Sequence, residues 1–398
     1  MARLSPGTGD NGVACGQEGG VTVREVAIFR RNLFKISEPF ITQQGEQLRR
    51  YRALYLGRLR QGDKPAGVES SSFEDVAGRW SLPLAAWQMI TRETRTFERL
   101  LDGRRPSLIH AHFGVDGVYA LPLARRLGIP LVTTFHGFDA TLSTPALMCS
   151  PDWAQYRVFR GRLAREGALF ICVSAFIRDR LLAMGFPAAR TRVHYIGVDC
   201  EAIRARDRAE ETPTVLHVAR LVEFKGTQYV IRAFAAAASE RPEIRLVILG
   251  DGPLNRRLRS LAGSLGLDER VRFLGARPHA EVLGWMRKAA MLVLPSVRTR
   301  TGRAEGMGQV LLEAAASGVP VIGSRSGGIP ESVVEGRTGF LVPERDPQAL
   351  ARRMIELVDD STLRQRMGAE ARAHVERNFD IRRQTETLES LYDAVLTN

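Results

Sequence analysis

Long apolar runs are missing from this chain: none approaches the roughly 20 consecutive residues that would span a bilayer, which excludes an integral helical membrane protein. Cysteine is scarce as well. Cys15, Cys149, Cys172 and Cys200 are scattered and form no CxxC pair, which speaks for a reducing compartment and against a disulfide framework or a zinc site; the expected address is the cytosol. Residues 1–20 are rich in glycine and lack the apolar core of a signal peptide, so they read as a disordered leader. No GxGxxG turn follows the first strand of either half, which disfavours a nicotinamide or flavin dinucleotide fold. A repeat with a period of about 20 to 50 residues is absent too. So are a recognition helix, a zinc finger and an RNP-like aromatic strand, which leaves nucleic-acid binding supported by charge alone and not expected.

What remains is ordinary globular material, 44% apolar and 25% charged, in a chain of 398 residues that exceeds what one core usually fills. The net charge of +13 is uneven, with 27 Lys and Arg against 18 Asp and Glu up to Asp199 and 30 against 26 beyond it. A basic N-terminal half favours anionic partners such as phosphate-bearing ligands or lipid headgroups. Short β-rich runs alternate with amphipathic stretches from Val23 onward, the pattern of βα units and a parallel sheet. "REVAIFR", "RALYLG", "SLIHAHF", "PLVTTFHG", "ALFICVS" and "TRVHYIGV" give one doubly wound domain, residues 21–210. The polar stretch "DCEAIRARDRAEETP" then interrupts the pattern, and "TVLHVARL", "RLVILGDG", "VRFLGA", "AMLVLPSV", "VPVIGS" and "TGFLV" give a second Rossmann-like domain over 211–378. The last segment, 379–398, has apolar residues at helical spacing and is expected to pack back onto the first domain. Residues 61–80 show no clear periodicity.

Ligands of doubly wound sheets bind at the C-terminal edge of the strands, so residues just after strand ends are the candidates for chemistry. In "HVARLVEFKG", Arg220 and Lys225 bracket such a loop, where they are either two solvated charges or a pair able to neutralise a diphosphate by charge-assisted hydrogen bonds of about 1.5–3 kcal/mol each. In "EGMGQVLLEAAASGVPVIGS", Glu305 precedes a Gly-Met-Gly turn and Glu313 lies on a helix expected to start near Met307. Glu305 is positioned to accept from sugar hydroxyls and Glu313 to chelate a ribose diol, unless Glu313 only caps a neighbouring loop. Gly306 and Gly308 permit close backbone approach, and the N–H groups from 306 to 308 onward are free for the distal phosphate at the positive end of the helix dipole. His136 and Gly137 follow a buried strand, with Asp139 close behind, and a structural or a functional histidine is equally expected there. His110 and His112 share one strand face, but no third ligand completes a metal site, and packing or acceptor contact is expected instead.

Together, "ARLVEFKG", "EGMGQVLLE" and "ASGVPVIGSRSGGIPE", in that order, resemble the donor domain of glycosyltransferase family 4, the retaining group with the GT-B fold. The resemblance covers nearly the whole chain. "KISEPFITQQ", "IHAHFG" and "TTFHGFD" are similar to the exopolysaccharide and colanic-acid type members. The resemblance implies two Rossmann-like domains facing each other across a cleft. It also implies transfer of a hexose from a nucleotide-diphosphate sugar, UDP-hexose or GDP-mannose, to a glycan or polyprenyl-diphosphate-linked saccharide. Arg220 and Lys225 would hold the diphosphate, Glu305 with the backbone of Gly306, Met307 and Gly308 the sugar, and Glu313 the ribose. His136 would sit beside the anomeric carbon, with Glu305 its partner in the reaction. Where relatives carry a Gly-rich turn after the first strand, this chain has "FRRNLFKISEPF", so Ser37, Glu38 and His112 are expected on the acceptor side. No cofactor and no metal are implied, the nucleotide sugar being a substrate. The basic first domain suits a lipid-linked acceptor at the inner membrane face, with Arg30, Arg31, Arg49, Arg50, Arg52 and Arg58 meeting anionic headgroups. A nucleotide-sugar epimerase of the same architecture is the competing enzyme, and it would need no acceptor.

Overall fold

The computed structural model describes residues 23–205 and 213–397. The glycine-rich leader and part of the linker near residue 210 lie outside the described residues. The first domain contains β1 (Arg24–Phe29), β2 (Asn32–Leu33), β3 (Tyr51–Leu56), β4 (Leu59–Arg60), β5 (Glu69–Ser71), β6 (Leu108–His112), β7 (Leu131–Phe135), β8 (Leu169–Cys172) and β9 (Thr191–Val193). The second contains β10 (Thr214–Val218), β11 (Arg245–Leu249), β12 (Val271–Gly275), β13 (Met291–Leu294), β14 (Val321–Ser324) and β15 (Gly339–Val342).

Two parallel sheets result, ordered β5-β3-β1-β6-β7-β8-β9 and β12-β11-β10-β13-β14-β15, with β2 and β4 forming a small ribbon beside the first. Parallel strands covered by helices on both faces are apolar along their whole length rather than alternating. The runs "LFIC" and "MLVL" obey this, every residue in them being buried. In each domain the strand order reverses beside the first strand, where β1 lies between β3 and β6 and β10 lies between β11 and β13. That reversal opens a crevice at the C-terminal strand edge, and the loops after β1, β6 and β7 and after β10, β11, β13 and β14 gather there.

Two helices end the chain. Helix Ser361–Asn378 places Ala371 and Val375, together with Phe379, in a core cluster that joins first-domain residues to Leu312, Ala315 and Ala316 of the second domain. Helix Ile381–Thr397 then covers the first sheet. Its Tyr392 is fully buried, 5.2 Å from the Tyr51 ring, and its hydroxyl lies 2.6 Å from His110 Nδ1. Glu389 of the same helix accepts the N–H groups of Arg49 and Arg50 at 2.7 and 2.6 Å, which explains a buried carboxylate in an otherwise apolar seam. Residues 61–80 hold β5, the short helix Phe73–Ala77 and a 3-10 turn Gly78–Trp80. Elements of three to five residues are too short to carry a period. Among the described residues no helix is long and apolar enough to cross a membrane.

Candidate active site in the interdomain cleft

The second domain supplies a cationic wall. Arg220 follows β10 and is exposed, and Lys225 closes a 3-10 turn before helix Thr227–Glu240. Gly226, at φ +71°, joins the two, and a Cβ there would come within 2.0 Å of the Pro295 carbonyl oxygen. Only glycine meets both demands. Lys225 Nζ lies 2.5 Å from Glu305 Oε2, and Ser296 Oγ donates to the same oxygen at 3.3 Å. Gly308, at φ +81°, turns the chain into helix Gln309–Ala316. Among the described residues no acceptor meets the N–H groups of Met307, Gly308, Gln309 or Val310, as expected of an uncapped helix start. The Met307 side chain is buried and its carbonyl accepts the Ser332 hydroxyl at 2.6 Å, so only its N–H is left for a ligand. Glu313 sits on the second turn of the helix and accepts from His279 Nε2 at 3.0 Å, an interaction that raises the His279 pKa above its ordinary value. A cavity of about 200 Å³ separates Glu313 and His279 from Gln43 and Glu46 of the first domain.

Arg303 is a site residue that sequence reading missed. Its guanidinium lies 4.4 Å from the Phe224 ring centroid and 5.8 Å from that of Phe138, and it belongs to no ion pair among the described residues. Burial and the neighbouring Arg220 lower its pKa to about 10. Lys225 and Arg303 therefore flank one carboxylate with Arg220 next to Arg303, three cations against one anion, an arrangement that calls for a further anion. The only signal in the sequence was an arginine two residues before Glu305, in a chain where arginine is everywhere.

The first domain supplies the opposite wall. His136 follows β7, and Gly137 takes φ +146°. The buried Asp139 carboxylate fixes this turn by accepting the N–H groups of Gly114 and Gly137, both at 2.9 Å. Burial raises its pKa to about 6 despite those bonds. His136 Nε2 lies 3.1 Å from His112 Nδ1, whose ring lies 4.4 Å from that of His110. Burial holds all three imidazoles well below their ordinary pKa, and Arg30 adds to the effect at His112 and His136. Nδ1 of His136 is buried and has no partner among the described residues.

Three acceptor-side expectations fare differently. Ser37 is exposed in the turn after β2. Glu38 is held by both of its oxygens on Arg30, at 2.9 Å each, and so positions the loop instead of standing open to a sugar. His112 is buried behind His136, 3.1 Å from it, in a packed position. Of the six arginines expected to face lipid, Arg49, Arg50 and Arg52 are exposed and the other three need correction. Arg30, Arg31 and Arg58 are buried, the first two paired with Asp116 and the last two with Asp152, and Arg50 is tied to Glu389 and Asp393 of the C-terminal helix. Such pairs span up to 343 residues of sequence and cannot be seen in a local motif.

The two walls touch. A Cβ on Gly306 would lie 2.0 Å from the His136 carbonyl oxygen, so the turn after β7 and the turn before helix Gln309–Ala316 meet backbone to backbone. Around this contact Thr301 accepts the Ser143 N–H at 2.8 Å and Gly197 accepts Gln309 Nε2 at 2.9 Å. Glu331, also unforeseen, accepts the N–H groups of Ala175 and Phe176 at 2.7 and 3.0 Å and so caps a first-domain helix from the second domain. His136, Glu305, Lys225 and the free helix start are thereby brought together, with Glu313 deeper along the same helix.

Residues 199–374 match the family described as glycosyl transferases group 1, and residues 55–202 match glycosyltransferase family 4. The chain is 35% identical over 292 residues to the Salmonella typhimurium protein named as colanic acid biosynthesis glycosyltransferase WcaL, covering 72% of this chain and 70% of that one. It is 31% identical over 274 residues to the amylovoran biosynthesis glycosyltransferase AmsK of Erwinia amylovora, covering 68% of this chain and 65% of that one. Among solved structures, Anabaena HepE in complex with UDP and glucose superposes with a TM-score of 0.71 at 20% identity, over 93% of this chain and all 100% of that one. Sucrose-phosphate synthase from Thermosynechococcus elongatus gives 0.76 at 20% identity, over 94% and 99%.

Proposed function

Because the chain belongs to the glycosyltransferases of group 1 and family 4, with their GT-B fold, we propose that it makes exopolysaccharide by moving a hexose from a nucleotide-diphosphate sugar to a glycan or polyprenyl-diphosphate-linked saccharide. The observation that carries this reading is the meeting of Lys225 and Arg303 with Glu305, with Arg220 beside Arg303, next to the N–H groups at the start of helix Gln309–Ala316 that have no partner among the described residues. A diphosphate entering there would take over Lys225 from Glu305, leaving the carboxylate to accept from sugar hydroxyls. Glu313 would exchange its bond to His279 for the ribose diol. The neighbours' UDP and UDP-glucose complexes are compatible with such a donor.

Transfer is read as retaining. The bond from the anomeric carbon to the diphosphate breaks, the acceptor oxygen bonds to the same face, and its proton passes to the departing phosphate oxygen. No enzymic carboxylate nucleophile is required. Charge growing on the leaving group meets three cations and a helix dipole already in place, and such preorganised stabilisation contributes most in catalysis. Those groups support a reaction independent of added metal. His136 is held neutral, so its backbone carbonyl and unpaired Nδ1 serve to position the sugar. The cytosol, or the inner membrane face, is the compartment in which nucleotide sugars and a lipid-linked acceptor would meet.

Thermal melting against UDP, GDP, ADP and dTDP and their sugars, in the presence of a chelator, tests the donor site. A ligand at about 100 times its Kd should add roughly 2.7 kcal/mol, and Lys225→Ala should abolish the shift while keeping the unliganded Tm. Turnover of the matching donor only when an acceptor is supplied separates transfer from epimerisation. A nucleotide shift that survives Lys225→Ala, or activity that vanishes with chelator, would sink the site or its metal independence respectively.

A further inference from the structure

Helix Ser81–Thr91 packs Leu84, Ala85 and Met89 against the core of the first domain and leaves a second apolar stripe uncovered. Its buried side carries Ser81, Ala85 and Gln88, whereas Leu82, Pro83, Ala86, Trp87 and Ile90 form an exposed stripe at helical spacing. Trp80 just before it is 62% exposed, Trp87 59%, Leu82 67% and Ile90 66%. With Val76 these make five of the ten large exposed apolar side chains among the described residues, all within fifteen positions of the sequence. Scattered exposed apolar residues are normal, but a contiguous face of this kind marks a contact surface.

We propose that this face docks the enzyme on an anionic membrane. Two tryptophans at the rim of an apolar stripe are the side chains that settle at the headgroup boundary, where one end of the ring is dry and the indole N–H stays wet. Cations surround the stripe. Arg79 lies against the Trp80 ring, Arg92 caps the far end of the helix with its guanidinium over Phe159, and Arg95 is exposed three residues on. None of the three belongs to an ion pair among the described residues, unlike the arginines buried behind the helix. Each basic group near an anionic leaflet adds attraction that falls off within a Debye length.

The stripe fits a membrane better than a second copy of the chain. Its four large side chains expose on the order of 500 Å², below the about 800 Å² per partner that a stable dimer buries. A self-complementary contact would also bring the unpaired arginines of two copies together. The face is fixed relative to the cleft: Gln88 is bonded to Arg58, Arg58 and Arg31 share Asp152, and Arg31 and Arg30 share Asp116. This surface replaces the one expected from Arg30, Arg31 and Arg58. The proposal deepens the reading of a lipid-linked acceptor, but its test reads the surface without turnover, so the two can fail separately.

The full chain is sedimented with phosphatidylcholine vesicles, with and without added phosphatidylglycerol, at low and high salt. Binding is expected only with phosphatidylglycerol and is expected to fall at least about tenfold in a Trp80→Ser/Trp87→Ser variant, whose exposed positions leave the Tm and the nucleotide-induced shift unchanged. Arg79→Gln/Arg95→Gln should lower binding at low salt and make it less salt-dependent. No sedimentation with either vesicle, or equal sedimentation of wild type and the tryptophan variant, overturns the proposal. So does a dimer of the wild type in analytical ultracentrifugation that the tryptophan variant dissolves, because a second copy would then be the occupant.

Discussion

Single side chains at the cleft do two distinct jobs, and the difference decides what their removal costs. Lys225, Arg220 and Arg303 are available to a ligand, so their loss should weaken donor binding and leave the fold intact. Asp139 touches no open surface, and its carboxylate is the only partner of two buried N–H groups at the turns after β6 and β7. Asp139→Ala leaves both unsatisfied, at about 1–3 kcal/mol each, so the protein should lose at least about 2 kcal/mol in urea unfolding. Asp139→Asn keeps one acceptor oxygen and should lose less. The functional mark of the same variant is indirect: with the Gly137 turn released, the His136 carbonyl no longer meets Gly306, and kcat should fall more than donor affinity. A stable Asp139→Ala protein with wild-type kcat would remove Asp139 from the positioning of His136.

At the scale of elements, what could be read from the sequence depended on how local the determining forces are. The large strands and the paired-glutamate helix were legible because buried parallel strands are continuous apolar runs and because Gly306, Met307 and Gly308 announce a tight turn before a helix. Helix Ser81–Thr91 was not, since Leu82, Trp87 and Ile90 point outward while polar Gln88 points in beside Leu84 and Met89, which blurs the pattern that sequence reading assumes. Arg30, Arg31 and Arg58 misled for a related reason: burial by Asp116 and Asp152 is a tertiary event. Glu331 is another such case, acting on a helix 155 residues or more away in sequence. It places a carboxylate on the N–H groups at the positive end of helix Ala175–Ala183, a position favoured by hydrogen bonding and by the helix dipole. Because the bond crosses between domains, Glu331→Ala should both destabilise the protein by about 1–3 kcal/mol and widen the distribution of interdomain angles. Small-angle scattering checks the second effect. An unchanged radius of gyration and unchanged kcat in that variant would mean that the glycine contact at Gly306 fixes the closure by itself.

The whole molecule carries a pH dependence that follows from where its histidines lie. His110, His112, His194 and His217 are buried and His136 is half-buried, and desolvation lowers the pKa of each, that of His217 to about 4. A histidine with a depressed folded pKa contributes stability that is fully present above the unfolded pKa of about 6.5. That stability is lost as pH falls toward the folded value, because the unfolded chain takes up the proton first. Three groups act in the opposite sense, among them Glu46, whose pKa partial burial raises. Asp139, raised to about 6, makes folding more favourable as pH falls from about 6 toward the unfolded value of about 4. His279, raised by Glu313, contributes stability present below about 6.5 and lost as pH rises through its folded value. These five depressed histidines, joined by the half-buried His374, outweigh two raised carboxyls below pH 6.5, each adding up to about 1.4 kcal/mol per pH unit while it titrates in the unfolded chain. Urea-derived stability should therefore stay nearly level from pH 8 to about 6.5 and then fall with a slope steeper than one proton. His279→Gln should flatten the small decline on the alkaline side without touching the acid limb. An acid limb with a slope of one proton or less would mean that the row of histidines behind the cleft is already open to water, and His136 would then enter the reaction as a titratable group instead of a neutral one.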